Sequence, residues 1–169
     1  MAGRLKAVKP ELLKDNPFQA IGKEWMLISA GTSEYHNMMT ASWGAWGVLW
    51  HKPVCFCFIR PHRYTFEFME RKPFYTLNFF DKKFKKALQL CGSKSGRDID
   101  KVKAAGLTAC RDRTGAVYFA EARLVIVCRK IYFQDIEPRH FLDPSIEENY
   151  PKKDYHRMYA GEVVRCLAR

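Results

Sequence analysis

The chain has 169 residues, of which 47% are hydrophobic and 14% aromatic, which is enough to bury the core of one globular domain. Its formal net charge of +11 favours anionic partners, but the 29 lysines and arginines are spread along the chain and so name no partner. No apolar run approaches the length that crosses a bilayer, and the basic segment Met1–Lys6 lacks the apolar stretch of a secretory signal. We therefore expect a soluble, cytoplasmic protein with no membrane partner.

The apolar runs predict a mainly β protein. Trp25–Gly31 and Asn37–Ser42 are typical of two strands joined by a turn. The continuous apolar run Val54–Ile59 predicts a strand buried on both sides. Further strands are predicted at Phe74–Phe80, within Val117–Phe133, and at Gly161–Leu167.

Three short helices are predicted between these strands. Thr65 is expected to cap a helix over Phe66–Arg71, because a threonine oxygen can accept a free N–H of the first turn. A second helix is predicted over Lys83–Leu90, and a third is expected to begin after Asp98 and to end at Gly106. Many strands with few short helices favour a β-barrel with helical additions.

Six cysteines occur without a Cys-x-x-Cys pair, which argues against a zinc site or a thioredoxin-like redox pair. Cys55 and Cys57 lie two apart in a strand and should face the same side. We expect the cysteines to be reduced and to act as small buried hydrophobes.

Two basic turns are candidates for binding a phosphate. Arg60 and Arg63 flank a proline-fixed turn that leads into the helix at Thr65, where free N–H groups favour an anion. The loop Ser95-Gly96-Arg97, with Lys101 after it, repeats this combination of glycine and cations. The alternative is that these are ordinary surface cations at ordinary helix caps.

The segment Asn37–Gly44 is a candidate for binding a flat polar ring. The small residues Thr40-Ala41-Ser42 allow the backbone to approach such a ring, and Met38, Met39 and Trp43 can cover its faces. The alternative is an amphipathic strand whose methionines and tryptophan belong to the core.

Five sequence pieces, in one order, resemble the flavin reductase-like family and within it the flavoredoxin-type members. The resemblance covers roughly residues 20–166. The pieces are Asn37-x-Met39-Thr40-Ala41-Ser42-Trp43-Gly44, Lys52-Pro53-Val54, Arg60-x-x-Arg63-Tyr64-Thr65, Phe74-Tyr75-Thr76-Leu77-Asn78-Phe79-Phe80 and Ser95-Gly96-Arg97-Asp98-x-Asp100-Lys101.

This resemblance implies a single domain over residues 1–169 with the fold of an FMN-binding split β-barrel, mainly β with short helices and Greek-key-like. It also implies non-covalent FMN near the interface of a homodimer. The residues implied to line the ring and ribityl parts of FMN are Asn37, Met38, Met39, Thr40, Ala41, Ser42 and Trp43. Those implied on the phosphate side are Arg63, Thr65, Ser95, Arg97 and Lys101, and Arg60, Tyr64 and Gly96 of the same two turns are further cofactor-binding candidates.

Two more residues are singled out by the resemblance. Asn78 follows a strand and is expected to support the site, with or without touching FMN. His156 is a candidate to hold or protonate the reduced ring, because histidine ordinarily titrates near neutral pH. The alternative for His156 is an ordinary surface or interface histidine.

Three functions are compatible with these features. The leading one is an FMN-dependent oxidoreductase in which NAD(P)H reduces the flavin and an acceptor takes the electrons. The second is a flavoredoxin-like electron carrier reduced by an acidic protein partner, which the basic surface would steer. A nucleic-acid-binding barrel is least favoured, because the aromatic residues fall mostly in apolar runs such as Cys55–Phe58, where core packing explains them.

Overall fold

An eight-stranded antiparallel sheet carries the fold in the computed structural model of the chain, which describes residues 4–169. The strands are β1 (Lys6–Val8), β2 (Met26–Gly31), β3 (His36–Ala41), β4 (Gly44–Leu49), β5 (Lys52–Ile59), β6 (Phe74–Phe79), β7 (Ala109–Arg111), β8 (Val117–Phe119), β9 (Leu124–Asp135) and β10 (Arg157–Ala168). β7 and β8 form a separate two-stranded sheet. The α-helices are α1 (Pro17–Gln19), α2 (Tyr64–Arg71), α3 (Lys85–Ser93) and α4 (Lys101–Ala105).

The large sheet has the order β3-β2-β6-β9-β10-β5-β4, with β1 paired to β10. Its two edge strands, β3 and β4, follow each other in the chain and are joined through Ser42 and Trp43. The sheet therefore curls until its two edges approach one another at this connection, although the pairing leaves them unbonded. The connection between β3 and β4 therefore lies at the gap between the two edge strands.

Alternating residues of the strands feed two apolar cores. Met26 and Ile28 point into one cluster, together with Met39 and residues of α2, while Leu27 points to the other. The second cluster includes Met38 and lies under α3 and its neighbours. Most of the strands thus have apolar residues on both faces, and the open surfaces occur at the sheet edges.

The predicted fold class, mainly β with short helices, is confirmed, but two strands differ in detail. β5 is less buried on one face than on the other: Cys55 and Cys57 are buried on the same face, as predicted, whereas on the opposite face Val54 is buried and Phe56 and Phe58 are half-buried. β4 was not predicted as a separate strand, since its glycines and scattered apolar residues give no clear alternation. The turn at positions 120–123 divides the run Val117–Phe133 into a short and a long strand.

Two predicted helix caps are wrong. α2 begins at Tyr64 with Arg63 as its N-cap, so Thr65 lies inside the helix and is buried. α4 is capped by Asp100, whose carboxylate accepts a hydrogen bond from the Lys103 N–H at 3.1 Å, and not by Asp98. Its predicted end is confirmed, because Gly106 has a φ of 63° and closes the helix.

The second helix consists of a 3-10 turn at Lys82–Phe84 followed by α3, which buries Leu88 and Cys91 as its predicted pattern requires. All six cysteines are free thiols, and five of them are buried, while Cys110 is half-buried. Over the described part of the chain, no helix combines the length and the apolarity needed to cross a membrane.

Candidate functional site

A groove at the split of the barrel joins two cavities. The first, of about 390 Å³, is called here the aromatic lobe, and the second, of about 180 Å³, the cationic lobe. Met39, His62 and Arg63 line both of them, so the two lobes are continuous. The remaining residues of the aromatic lobe are Thr40, Ala41, Ser42, Trp43, Phe58, Arg60 and His156. Those of the cationic lobe are Asn37, Tyr64, Thr65, Ser93, Lys94, Ser95, Gly96, Arg97 and Lys101.

The aromatic lobe is built around the connection between β3 and β4. The ring of Trp43 lies 4.8 Å from that of His156 and 6.4 Å from that of Tyr150. Trp43 is nevertheless 41% exposed, so part of the indole is open to a ligand or to solvent. Phe58 adds a second aromatic side chain from β5. These rings can contact both the face and the edge of a flat ligand.

His156 is buried in the wall of this lobe. Its Nδ1 lies 2.9 Å from the Tyr150 hydroxyl. Burial, with the charge of Arg60 adding to it, lowers the pKa of His156 from its usual value near 6.5 to about 4. The expectation that this histidine titrates near neutral pH is therefore wrong, and at pH 7 it presents a neutral imidazole.

The cationic lobe holds two cations, the half-buried Arg63 and the buried Lys101. The Lys101 Nζ donates to the Met38 carbonyl at 2.9 Å and to the Cys91 carbonyl at 2.8 Å, which uses two of its three N–H groups. Arg63 donates to the Gly92 carbonyl at 3.0 Å. Within residues 4–169 neither cation pairs with a carboxylate, so both keep an uncompensated charge toward the groove.

Burial also shifts the ionisation of these two cations. It lowers the pKa of Lys101 from 10.5 to about 8, and the neighbouring charge of Arg63 acts in the same direction. Burial and the charge of Arg60 lower the pKa of Arg63 as well. An anion placed between the two side chains would relieve both the desolvation and the mutual repulsion.

The floor of the cationic lobe is a buried contact among Asn37, Thr65 and Gly96. The Asn37 Nδ2 donates to the Thr65 Oγ1 at 2.9 Å. A Cβ at position 96 would stand 2.1 Å from the Asn37 Oδ1, so only glycine fits there. The glycine loop predicted to approach an anion is thus held against β3 and the start of α2.

Two of the predicted phosphate-side arginines already have partners. One Nη of Arg60 donates to both carboxylate oxygens of Asp154 at 2.9 Å, and its guanidinium lies 5.1 Å from the centre of the Tyr150 ring. Arg97 forms an ion pair with Glu67 and lies 4.4 Å over the Tyr64 ring. Arg60 lines the aromatic lobe, whereas Arg97 lines the cationic lobe. The sequence did not distinguish the two positions.

Met38 and Asn78 do not line the groove. The side chain of Met38 is 1% exposed and lies in the second core, so it does not cover a ring face, and only its carbonyl reaches the site through Lys101. Asn78 is fully buried, donates to the Leu27 carbonyl at 3.2 Å and accepts from the Phe119 N–H at 3.2 Å. It supports the β2–β6 pairing behind the groove.

The sequence did not name Phe58, His62, Ser93 or Lys94 individually as groove residues, although the last three belong to the two basic turns. Phe58 was assigned to a fully buried strand, and the alternation of phenylalanine with Cys55 and Cys57 was the signal that it faces the other side. His62 stands inside the basic turn itself and lies 3.1 Å from the Asp154 carboxylate. No local signal marks Ser93 and Lys94 beyond their place next to the glycine loop.

The groove can bind an anion at one end and a flat ring at the other. In the part of the chain described, no cluster of three or more histidine, cysteine, aspartate or glutamate side chains could hold a metal ion. The donors of the site are therefore a guanidinium, an ammonium, hydroxyls and backbone N–H groups, a set that suits phosphate oxygens.

Comparison with known protein families assigns the fold. The flavin reductase like domain family matches residues 18–169, which is nearly the whole chain. The chain belongs to the flavin reductase-like family. The resemblance inferred from the sequence is thereby confirmed, and so is the split-barrel fold. A search of curated protein sequences finds no match to this flavin reductase-like chain.

Solved structures show the same fold at low sequence identity. A flavoredoxin from Methanosarcina acetivorans is 19% identical with a TM-score of 0.66, and the match covers 86% of this chain and 68% of that one. An FMN-binding domain of a flavin reductases-like enzyme from Shewanella baltica OS155 is 17% identical with a TM-score of 0.69, covering 97% and 76% of the two chains. An NADH:FAD oxidoreductase from Streptomyces globisporus is 14% identical with a TM-score of 0.67, covering 86% and 75%.

Proposed function

We propose that this flavin reductase-like chain binds FMN non-covalently in the groove and acts as an NAD(P)H-dependent flavin oxidoreductase that passes electrons to an acceptor. The observation that carries the proposal is the continuity of the two lobes through Met39 and Arg63. Such a groove suits a molecule that joins a flat ring to a phosphate by a short flexible chain.

The residues of the groove match the chemistry of FMN. Arg63 and Lys101 would hold the phosphate, because the first is half-buried, the second is buried, and neither has a carboxylate partner among residues 4–169. The glycine at position 96 supports the same assignment, since a side chain there would collide with Asn37, which lines the same lobe. The segment Thr40–Trp43 would follow the ribityl chain and the ring.

The bound flavin would supply the redox chemistry, accepting a hydride from the nicotinamide and releasing electrons to the acceptor. The chain's own residues would position it and exclude water. Trp43 and Phe58 would contact the ring. His156, neutral at pH 7, would offer a ring nitrogen to a polar edge of the ligand, while Tyr150 holds its orientation through Nδ1. Arg60 would add a positive field beside the ring, weakened by its pairing with Asp154.

A flavoredoxin-like electron carrier is the second candidate. The net charge of +11 supports it, because a strongly basic protein associates quickly with an acidic redox partner. Solved flavoredoxins are among the structures with this fold. In this alternative the FMN site is the same, and only the electron donor differs.

A homodimer in the cytoplasm is part of the same proposal. Exposed aromatic residues on β9 and the β4–β5 turn support an interface, since Trp50 is 55%, Phe133 54% and Tyr132 42% exposed. Light scattering at micromolar concentration would give twice the 19.8 kDa mass of the chain if this is correct. A monomer over the whole concentration range would contradict it.

The visible absorption spectrum of the purified protein, before and after anaerobic addition of NADH and of NADPH, tests the function. A flavin spectrum that bleaches rapidly with either nicotinamide supports the reductase and identifies its donor. A bound flavin that stays oxidised with both nicotinamides, yet is reduced by a ferredoxin-type donor, supports the carrier. A colourless protein that does not take up added FMN contradicts both.

A further inference from the structure

A further cavity, of about 520 Å³, lies away from the groove and is larger than the aromatic lobe. It is called here the second cavity, in distinction from the two lobes of the groove. It lies between the C-terminal half of β10, the β7–β8 sheet and the 3-10 turn before α3. His156 precedes β10 and Arg165 lies near its other end, so the two sites are separated by up to roughly 30 Å of extended chain. Among the residues that the structure describes, none lines both this cavity and the flavin groove.

The described residues that line this second cavity carry a net positive charge. Its cations are Arg4, Lys83, Arg165 and Arg169, whereas Glu121 is the one acidic residue that lines it among residues 4–169. Glu121 is partly engaged, because its carboxylate accepts a hydrogen bond from the Thr108 N–H at 3.0 Å. A cavity of this sign favours a ligand that carries a negative charge.

Arg165 is the cation that the fold positions most firmly. It donates to the Asp112 carboxylate at 2.6 Å, and the side chain of Asp112 is completely buried. The Arg165 side chain keeps 33% of its surface exposed, so part of its guanidinium faces the cavity while the other part is held. A guanidinium fixed in this way presents paired donors at a small entropy cost.

Apolar and aromatic side chains form the rest of the wall. Phe84 and Tyr118 supply rings, and Leu5 and Leu167 supply aliphatic surface, all of them buried or half-buried. The volume is typical of small-molecule sites, and the wall combines this apolar surface with a large share of charged side chains.

We propose that this second cavity binds a small aromatic anion, a phosphate or carboxylate attached to a flat ring, independently of the flavin groove. The anion contacts Arg165, Lys83 and Arg4, and the ring lies against Phe84 and Tyr118. The proposal does not depend on the flavin, since the two sites share no residue.

Cys110 gives a direct readout of this cavity. It lines the wall and is the one half-buried cysteine, whereas the other five are buried. The rate of its labelling by N-ethylmaleimide, followed by mass spectrometry on the protein as purified, is measured with increasing 2-naphthyl phosphate or 2-naphthoate. The neutral analogue 2-naphthol, with the same ring system, serves as the control ligand.

We expect at least one of the two anions to slow the labelling saturably and 2-naphthol to have a much smaller effect. The variant Arg4→Glu/Lys83→Glu, which changes two exposed cations, should lower the affinity for the anion by about tenfold or more. The variant Lys86→Glu/Lys152→Glu has the same net charge, is exposed and lies outside the described cavities, so it should keep the wild-type affinity. Labelling that neither anion slows, or protection that is equal in the two variants, overturns the proposal.

Discussion

The Oδ1 of Asn37 lies against Gly96 so closely that a Cβ there would be 2.1 Å from it. This contact fixes the glycine loop on the edge strand β3, and the Asn37 Nδ2 bonds to Thr65 on α2. One asparagine thereby joins the strand, the helix and the loop that together surround the cationic lobe. The lobe is a packed structure, and its shape depends on the absence of a side chain at position 96.

We expect Gly96→Ala to lower the free energy of unfolding by about 1–3 kcal/mol, because the added methyl must displace Asn37 or the loop. The affinity for FMN should fall with it, since the same displacement separates the loop from Arg63. Denaturant unfolding and FMN titration measure the two effects. Gly22→Ala is the matched control, because nothing lies within 4 Å of a Cβ at that position. A Gly96→Ala protein as stable and as tightly bound to FMN as Gly22→Ala would contradict this reading.

The lowered pKa of Lys101, about 8, predicts a pH dependence of FMN binding. Below pH 8 the ammonium is charged, and binding should vary little with pH. Above pH 8 the free protein loses this proton, so the dissociation constant should rise by at most about tenfold per pH unit. Fluorescence titrations of FMN from pH 6.5 to 9.5 measure the slope.

Lys101→Met tests whether that slope belongs to this lysine. The variant should bind FMN more weakly at pH 7 and should lose the dependence above pH 8. It also leaves the carbonyls of Met38 and Cys91 without their donor, which we expect to cost about 1–3 kcal/mol of stability. If the slope persists in Lys101→Met, another group is responsible.

Trp43 contacts the ring part of the ligand in the proposed complex. The loss of affinity on replacing it should therefore not depend on the phosphate. We expect Trp43→Leu to weaken FMN and riboflavin by similar factors, about fivefold to tenfold, as an aromatic contact of roughly 1 kcal/mol or more would give. Titrations of both flavins give the two ratios. Phe18→Leu, which removes an exposed aromatic ring outside the groove, is the control. A loss confined to FMN would place the indole near the phosphate instead.

His156 predicts a loss of stability in acid. Because its pKa is lowered in the folded state to about 4, the unfolded chain binds more protons between pH 6.5 and 4. Stability contributed by the neutral imidazole is therefore complete above pH 6.5 and falls by up to about 3 kcal/mol as the pH drops to 4. Denaturant unfolding at pH 7.5, 5.5 and 4.5 measures this decrease.

His156→Gln keeps a polar partner for Tyr150 but cannot titrate, so its decrease in stability should be smaller by that amount. His140→Gln removes an exposed histidine and controls for the substitution itself. Identical pH profiles for wild type and His156→Gln would show that the imidazole does not titrate as described.

The sequence predicted the fold well where periodicity and order carry it. The strands β2, β3, β5, β6, β9 and β10 overlap predicted strands, although β10 begins at Arg157 rather than at Gly161, because burial selects similar residue types along each strand. The two basic turns and the segment Asn37–Trp43 were identified as groove candidates, and the structure brings most of their residues to the two lobes. That prediction relied on the combination of several pieces in one order, since each was ambiguous alone.

The sequence could not give what depends on tertiary contacts. Thr65 was predicted to cap α2, but it lies inside the helix and is buried against Asn37. Met38 and Met39 look alike in the sequence, but the strand alternation sends one to the second core and the other to the groove. The pairing of Arg60 with Asp154 joins residues far apart in the chain, and no local pattern announces it.

The most direct test of the central claim is to compare the affinities of FMN and riboflavin for the wild-type protein and for Arg63→Met. If the cationic lobe holds the phosphate, the affinity for FMN should exceed that for riboflavin by about a hundredfold or more, as two charge-assisted hydrogen bonds would give. Arg63→Met should remove much of this difference and leave riboflavin unchanged, while Arg71→Met, an exposed arginine outside the groove, should behave as wild type. Equal affinities of FMN and riboflavin for the wild-type protein would contradict the account.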